Sequence, residues 1–423
     1  MAAGILAGYV LSTFAWGSQF VVDWIKPWGT IFINLLKLIA IPLIVASLIK
    51  GVSDLDDIRQ LSRLGTRTLA LYVISTVLAV CLGLIIVNVV QPGSFIEEST
   101  RTDLMASFGV NAEQNVGKAA ENQNRGPLSA LVDVVPDNLI GAAASNGNML
   151  QVIFFVVFFG IGLILIPAEK SDPVKRFFDG VNEVVLKMID LIMLAAPYGV
   201  FALLAALVVE SPSPDVFKAL GAYALTVLFG LAILIFAFYP TLVRVFAGIS
   251  YGDFFRGMAP AQLLAFSTSS SAATLPVTME RVEEHIGVEK DVVAFVCPVG
   301  ATVNMDGTSL YQAVAAVFIA QAFGDDLTIG QQLTIVLTAT LASIGSAAVP
   351  GAGILMLVIV LESIGVNPAG IALIFAVDRP LDMCRTVVNV TSDATVAILV
   401  GKSLGKLTGP KVKEWDDQLV KKG

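Results

Sequence analysis

The chain has 423 residues, of which 56% are hydrophobic and 14% charged, with a net charge of −8 and a mean hydropathy of +0.81. Soluble domains carry about 25% charged residues, so an ordinary water-soluble globule is excluded. The net charge says little about partners, no nucleic-acid partner is expected, and Cys81, Cys297 and Cys384 lie in apolar segments without metal-ligand spacing.

Four windows lack any Asp, Glu, Lys or Arg: 68–96, 138–168, 219–243 and 328–361. A helix of roughly 20 apolar residues crosses a bilayer, so the chain reads as a polytopic membrane protein. The segment at 2–22 starts apolar, with no basic region or cleavage site, and reads as a first membrane helix and not a signal peptide. Further segments are expected at 27–50, 66–92, 128–168, 178–209 and 217–246, with 128–168 long enough for a broken helix. Basic residues cluster at Lys50, Arg59, Arg63 and Arg67, at Lys170, Lys175 and Arg176, at Arg244 and Arg256, and from Lys402 to Lys422. The intervening stretches 23–28, 97–125, 210–215 and 325–326 are acidic or neutral. Basic loops face the cytoplasm, which places both termini inside and makes 97–127 an external loop.

Beyond residue 250 the pattern changes. Residues 257–279 carry no charge but contain Ser269-Ser270-Ser271 and Pro276; window 328–361 contains Ser343, Gly345, Ser346, Pro350, Gly351 and Gly353. A straight spanning helix has no use for such a centre. A helical hairpin that dips into the bilayer and returns does, because its irregular tip is tolerable only where it lines a cavity. Hairpins are expected at 252–285 and 328–364. A helix over 290–324, broken near Gly300 to Thr308, follows the first, and a last helix over 367–402 follows the second. The two halves read as inverted repeats, a frequent build of secondary transporters.

In the last helix Asp378, Asp382, Arg385, Asn389 and Asp393 fall at steps of four, three, four and four, on one face, with Thr386 at its edge. Such a stripe at membrane depth marks a polar ligand or ion pathway. Arg385 presents a fork of donors matched to carboxylate. Asp378 and Asp382 can hold it between substrates, and Asp382 can also take an ammonium. Thr308, Thr386 and Asn389 add hydrogen bonds. Backbone N–H groups at Ser270 and Ser271 can receive an α-carboxylate, as helix N-termini do. An amine, an α-carboxylate and a second carboxylate describe aspartate or glutamate. Asn304, Asp306, Asn389 and Asp393, with carbonyls near Gly300, are hard oxygen ligands suited to a monovalent cation. Cation and anion would each favour binding of the other, which couples their transport. No Walker loop occurs, so ATP is not the expected drive. A serine hydrolase on Ser270 is poorly supported, because His285 lies in the charged stretch 280–291, read as solvated. No enzyme activity and no organic cofactor are expected.

At these residues the chain resembles the glutamate transporter family, the dicarboxylate/amino acid:cation symporters. The carrying motifs are Ser269-Ser270-Ser271 with Thr274-Leu275-Pro276, Asn304-Met305-Asp306-Gly307-Thr308, the Ser343 to Gly353 tip, and Asp382 through Asp393. The resemblance implies an all-α membrane protein of about eight transmembrane helices plus two re-entrant hairpins. It also implies a homotrimer in the inner membrane and an elevator motion of a transport domain against a scaffold. Residues 1–76 are expected to be mainly scaffold, with part of the third helix in the transport domain. Residues 77–250 complete the scaffold and peripheral helices, 251–405 form the transport core, and 406–423 a cytoplasmic tail.

The resemblance further implies that Ser270, Ser271, Thr308, Val349, Gly353, Asp382, Arg385, Thr386 and Asn389 bind substrate. Gly300, Asn304, Asn389 and Asp393 would hold one sodium ion; Thr302, Ser343, Ile344 and Ser346 a second; Tyr72, Ser75, Thr76, Asn304 and Asp306 a third. Asp378 and Arg379 are supporting residues. Relatives often carry a second arginine at the places taken here by Ser269 or Met383, and Arg379, three residues before Asp382, is the candidate to replace it. Arg385, Asp382 and Asp393 together favour sodium-coupled uptake of an acidic amino acid; the alternative is a proton- or sodium-coupled C4-dicarboxylate carrier.

Overall fold

The computed structural model describes residues 2–14, 16–53, 62–98, 100–102, 135–144, 149–210, 214–344 and 351–411. These residues are helical, with no strand among them beyond one antiparallel bridge between Val288 and Leu407. Most of the expected external loop 97–127 and the tail from residue 412 onward lie outside the described residues.

Helix α1 (Ala2–Ser12) ends in a turn, and the chain re-enters a helix at Gly17. That helix passes through a π turn, Val21–Ile25, into α2 (Lys26–Ser53). The break expected at 23–28 is therefore displaced to about 13–16. Pro27 cannot donate to the ladder, and the widened π turn ahead of it accommodates that loss. The turn forms where Gly17 abuts the Leu11 carbonyl so closely that a Cβ would stand 1.8 Å from its oxygen.

Helix α3 (Ser62–Val90) is unbroken, so the domain boundary expected at residue 76 falls inside it. Helix α4 is Met149–Leu165. Helix α5 (Ala168–Glu210) begins ten residues before the expected segment, and Lys170, Lys175 and Arg176 occupy its first turns instead of a loop. Helix α6 (Pro214–Ile233) continues through π and α turns to Ala247 and stops at Gly248, φ +80°. Gly4 and Gly8, one turn apart, let α1 lie on α5; a Cβ on them would come within 2.7 Å of Phe201 O and 2.6 Å of Ala205 O. This is the close backbone approach that small residues permit in a bilayer.

The remaining elements are α7 (Tyr251–Thr268), α8 (Ser271–Glu280), α9 (Lys290–Val303), α10 (Asp306–Ala322), α11 (Ile329–Ile344), α12 (Ala352–Ser363) and α13 (Ile371–Ser403). Helix α10 is buried at almost every position, with α3, α6, α11, α12 and α13 around it. By length and composition, three helical stretches among the described residues can cross a bilayer: Leu64–Phe95, Asp215–Ala247 and Pro368–Ser403.

After α13 the chain turns at Gly405 (φ +73°) and doubles back over the end of α8. Glu289 N donates to Lys406 O (3.0 Å), Thr408 N to Gly287 O (2.9 Å) and Lys411 N to Glu284 O (2.8 Å). Lys406 pairs with Asp291, whose carboxyl is held below its usual range mainly by that hydrogen bond. His285, expected to be solvated, is buried, at 8% exposure. Arg281 is buried as well and donates from Nε to Gly257 O (2.8 Å), tying α8 to α7.

Candidate functional site

The stripe on α13 turns inward along its whole length. Asp378, Asp382, Arg385, Thr386, Asn389 and Asp393 are all buried. Arg385 lies between two carboxylates of its own helix: Nη1 is 3.1 Å from Asp378 Oδ1, and Nη2 is 2.7 Å from Asp382 Oδ1. Its guanidinium stacks over the Tyr311 ring, 3.8 Å from the centroid, a cation–π contact that adds to the ion pairs. Asp382 reaches across to the second hairpin, where its Oδ2 accepts the N–H of Gly351 (3.1 Å). Gly351 has φ +80°, a conformation that favours glycine. Arg379, half-exposed, approaches the same oxygen at 3.5 Å. Thr386 donates to the Asp382 carbonyl at 2.9 Å.

Gly353 faces the guanidinium. A Cβ there would lie 3.0 Å from Thr308 Cγ2 and 3.4 Å from Arg385 Cζ. Gln312 donates to Gly353 O (3.3 Å), while its own Oε1 is buried without a hydrogen-bond partner among the described residues. Thr308 Oγ1 accepts from Asn389 Nδ2 (3.3 Å), and Asn389 Oδ1 accepts from Gly307 N (2.8 Å). Thr308, Gly353, Asp382, Arg385, Thr386 and Asn389 thus line one region between α10, α12 and α13. Val349 lies outside the described residues.

At the first hairpin, Ser269 adopts φ +52° and turns the chain between α7 and α8. Ser270 caps α8, its hydroxyl accepting from Ala273 N at 3.2 Å. The expectation of a free N–H at Ser270 is corrected: Thr268 Oγ1 takes it at 3.2 Å, because the left-handed Ser269 folds the tip back on itself. Ser271 is buried at the first position of α8.

Below the arginine a second polar cluster forms where α9 and α10 break at Asn304-Met305. Asn304 Nδ2 donates to Asp393 Oδ1 and Ser392 Oγ, each at 2.9 Å. Asp306 accepts from Thr76 (2.7 Å), Ser392 (2.7 Å) and Tyr239 (2.8 Å). Ser75 and Thr76 each stand 3.5 Å from Asn304 Oδ1. Tyr72 donates to Val296 O at 2.9 Å. Gly300 presses its α-carbon against this cluster, so that a Cβ would stand 2.4 Å from both Asp393 Oδ1 and the Tyr72 hydroxyl. Buried carboxylates this dense in oxygen donors and acceptors suit a dehydrated monovalent cation. Tyr72, Ser75, Thr76, Gly300, Asn304, Asp306 and Asp393 are brought together; Thr302 and Ser343 are not joined to them by any described contact. Thr302 is exposed, with its hydroxyl on Val299 O (3.0 Å) of its own helix, and buried Ser343 bonds Thr340 O (2.7 Å) of its own. For Ile344 only the backbone is described, and Ser346 lies outside the described residues.

Four site neighbours are absent from the residues expected from sequence. Ser392 lies beside the five-residue face of the stripe, so helical period does not single it out. Tyr311 and Gln312 follow Thr308 by three and four residues on the same helix, a spacing that could have found them. Tyr239 comes from α6, and nothing local to it announces a carboxylate 67 positions away.

A family profile described as the sodium:dicarboxylate symporter family matches residues 1–403. The chain is 37% identical over 97% of its length to a Bacillus subtilis protein named proton/sodium-glutamate symport protein, of which 93% is covered. It is 35% identical over its full length to the Escherichia coli proton/glutamate-aspartate symporter, 95% covered. It is 38% identical, over 86% of its length, to the mouse excitatory amino acid transporter 3, 76% covered.

Proposed function

The chain belongs to the sodium:dicarboxylate symporter family, and on that premise we propose that it couples sodium flow to the uptake of an acidic amino acid, L-aspartate or L-glutamate. The observation that carries this reading is Arg385, buried and flanked by Asp378 and Asp382 where α12 and α13 face each other. A fixed guanidinium in a dry site needs an anion. The side-chain carboxylate of the substrate replaces an aspartate there, and the aspartate so released meets the substrate ammonium. A solute bearing both charges completes the exchange; a purely anionic dicarboxylate leaves Asp382 facing a second negative charge.

Substrate contacts come from Ser270, Ser271, Thr308, Val349, Gly353, Asp382, Arg385, Thr386 and Asn389. Sodium is cargo, held by oxygens around Asn304, Asp306 and Asp393 with Tyr72, Ser75, Thr76, Gly300 and Asn389; a further ion is assigned to Thr302, Ser343, Ile344 and Ser346. A charge carried in with the substrate keeps the buried carboxylates ionised, so occupancy by sodium raises affinity for the anion, and the reverse. The protein acts as a homotrimer in the inner membrane with both termini cytoplasmic. Eight spanning helices and two re-entrant hairpins are arranged so that the core 251–405 moves as an elevator.

The test is an L-aspartate binding isotherm at several sodium concentrations, with uptake into proteoliposomes. Affinity rising with sodium, and uptake needing an inward sodium gradient, support the reading. Uptake driven equally by a pH gradient without sodium moves it to a proton-coupled carrier. Competition by succinate stronger than by aspartate moves it to a C4-dicarboxylate carrier.

A further inference from the structure

Asp306 is fully buried at the start of α10 and accepts hydroxyl hydrogens from three other helices. They divide unevenly between its two oxygens. Thr76, on α3, donates to Oδ1 at 2.7 Å. Tyr239 at 2.8 Å and Ser392 at 2.7 Å both donate to Oδ2. Tyr239 is the first residue after the π turn Leu234–Phe238, a widening that shifts the face presented by whatever follows it. Ser392, fully buried on α13, also accepts a hydrogen: Asn304 Nδ2 donates to its Oγ and to Asp393 Oδ1, each at 2.9 Å. Both amide hydrogens of Asn304 are thereby used. Its side chain is held in one orientation, with Oδ1 turned to Ser75 and Thr76 at 3.5 Å each.

A dehydrated monovalent cation needs oxygens that replace its water and converge with no hydrogen pointing inward. An amide free to turn over would present its NH2 as readily as its oxygen. A buried carboxylate with one oxygen unpaired would turn to pair it. We propose that Ser392, acting with Tyr239, is a positioning residue of the cation pocket: the two hydroxyls occupy Oδ2 of Asp306, and Ser392 locks the Asn304 amide, so that Asp306 Oδ1, Asn304 Oδ1 and the Thr76 hydroxyl oxygen face one ion. Neither residue is needed as a ligand, since each acts through Asp306 or Asn304. The chain Asp393, Asn304, Ser392, Asp306 also joins two carboxylates assigned to different ions, and Ser392 is the link that lies outside both ligand sets. This rests on the reading of Asn304 and Asp306 as sodium ligands.

The experiment compares purified wild type, Ser392→Ala and Tyr239→Phe. L-aspartate binding isotherms are taken at a series of sodium concentrations, and melting temperatures with and without sodium. Ser392→Ala removes one oxygen, and Tyr239→Phe keeps the ring. Losing a hydrogen bond to a charged group predicts a half-maximal sodium concentration raised about tenfold in each variant. Aspartate affinity at saturating sodium should stay at the wild-type value. The melting temperature without sodium should also match wild type, while a given sodium concentration raises it less, because a weaker ligand stabilises less. An unchanged or lower sodium requirement in either variant overturns the proposal. So does a raised requirement accompanied by a lower sodium-free melting temperature and weaker aspartate binding at saturating sodium, since that marks a structural role. If aspartate binding to wild type does not respond to sodium at all, the reading of Asn304 and Asp306 as sodium ligands fails instead, and the proposal falls with it.

Discussion

Arg385 Nη2 and Asp382 Oδ1 stand 2.7 Å apart, and the other oxygen of the same carboxylate accepts the backbone N–H of Gly351. One aspartate therefore joins the charged stripe of α13 to the start of α12. A change in the Arg385–Asp382 pair bears directly on the Gly351 N–H, with no residue between them.

Removing the arginine leaves Asp378 and Asp382 buried together, with only the half-exposed Arg379 near Asp382 as counter-charge. Breaking a buried pair in this way costs about 3–5 kcal/mol, which is more than a hundredfold in affinity. Arg385→Cys is expected to abolish L-aspartate uptake while admitting a neutral amino acid into the space vacated. Uptake assays with aspartate and with serine or alanine check this. Retained aspartate affinity would falsify the role given to Arg385.

A Cβ on Gly353 would press on Thr308 Cγ2 at 3.0 Å and touch the guanidinium at 3.4 Å. Gly353→Ala adds one methyl to a filled site, and overpacking of that kind costs about 1–3 kcal/mol. The expected result is a KM for L-aspartate raised by roughly fivefold to a hundredfold, with the protein still folded. A KM equal to wild type would mean that the substrate does not pass over this face of α12.

Asp393 is buried against Asn304 and beside Gly300. Asp393→Asn removes a charge that a cation would use, at a cost of roughly 1.5–3 kcal/mol. The sodium concentration for half-maximal L-aspartate binding should rise at least about tenfold, while aspartate affinity at saturating sodium changes far less. An isotherm series that shows the same sodium dependence as wild type removes Asp393 from the ion pathway.

Arg379 is half-exposed and 3.5 Å from Asp382. Exposed pairs contribute about 0–1 kcal/mol, so Arg379→Ala should weaken L-aspartate binding by no more than about fivefold. A measurable loss that shrinks at high salt supports its place at the edge of the site. An unchanged affinity ends it.

The clasp from Lys406 to Lys411 lies outside the spanning helices, and its Asp291–Lys406 pair can be read through pH. The carboxyl of Asp291 is held below its usual range by Lys406, so its contribution is present above its unfolded value and is lost as pH falls. The melting temperature of Asp291→Asn should lie slightly below that of wild type at neutral pH. The gap should close as pH drops below about 4, the ordinary aspartate range. A gap that persists in acid would show that the pair is not its origin.

The stripe on α13 was legible because helical period alone decides which of its residues share a face, and because charge in so apolar a chain has few other uses. The helices flanking each hairpin tip were legible for a similar reason: Ser269-Ser270-Ser271 and Gly351 to Gly353 interrupt runs that otherwise satisfy their own backbone. What sequence misplaced was local and compensated. The stretch 23–28 reads as a break but carries a π turn into α2, and His285, read as solvated, is buried. What only the tertiary structure decided was which side chains share a charge. Tyr239 from α6, Thr76 from α3 and Ser392 from α13 converge on Asp306. Tyr311 lies under Arg385. Those partners come from separate helices whose own patterns are satisfied by burial alone, and burial does not encode which buried neighbour a hydroxyl will meet.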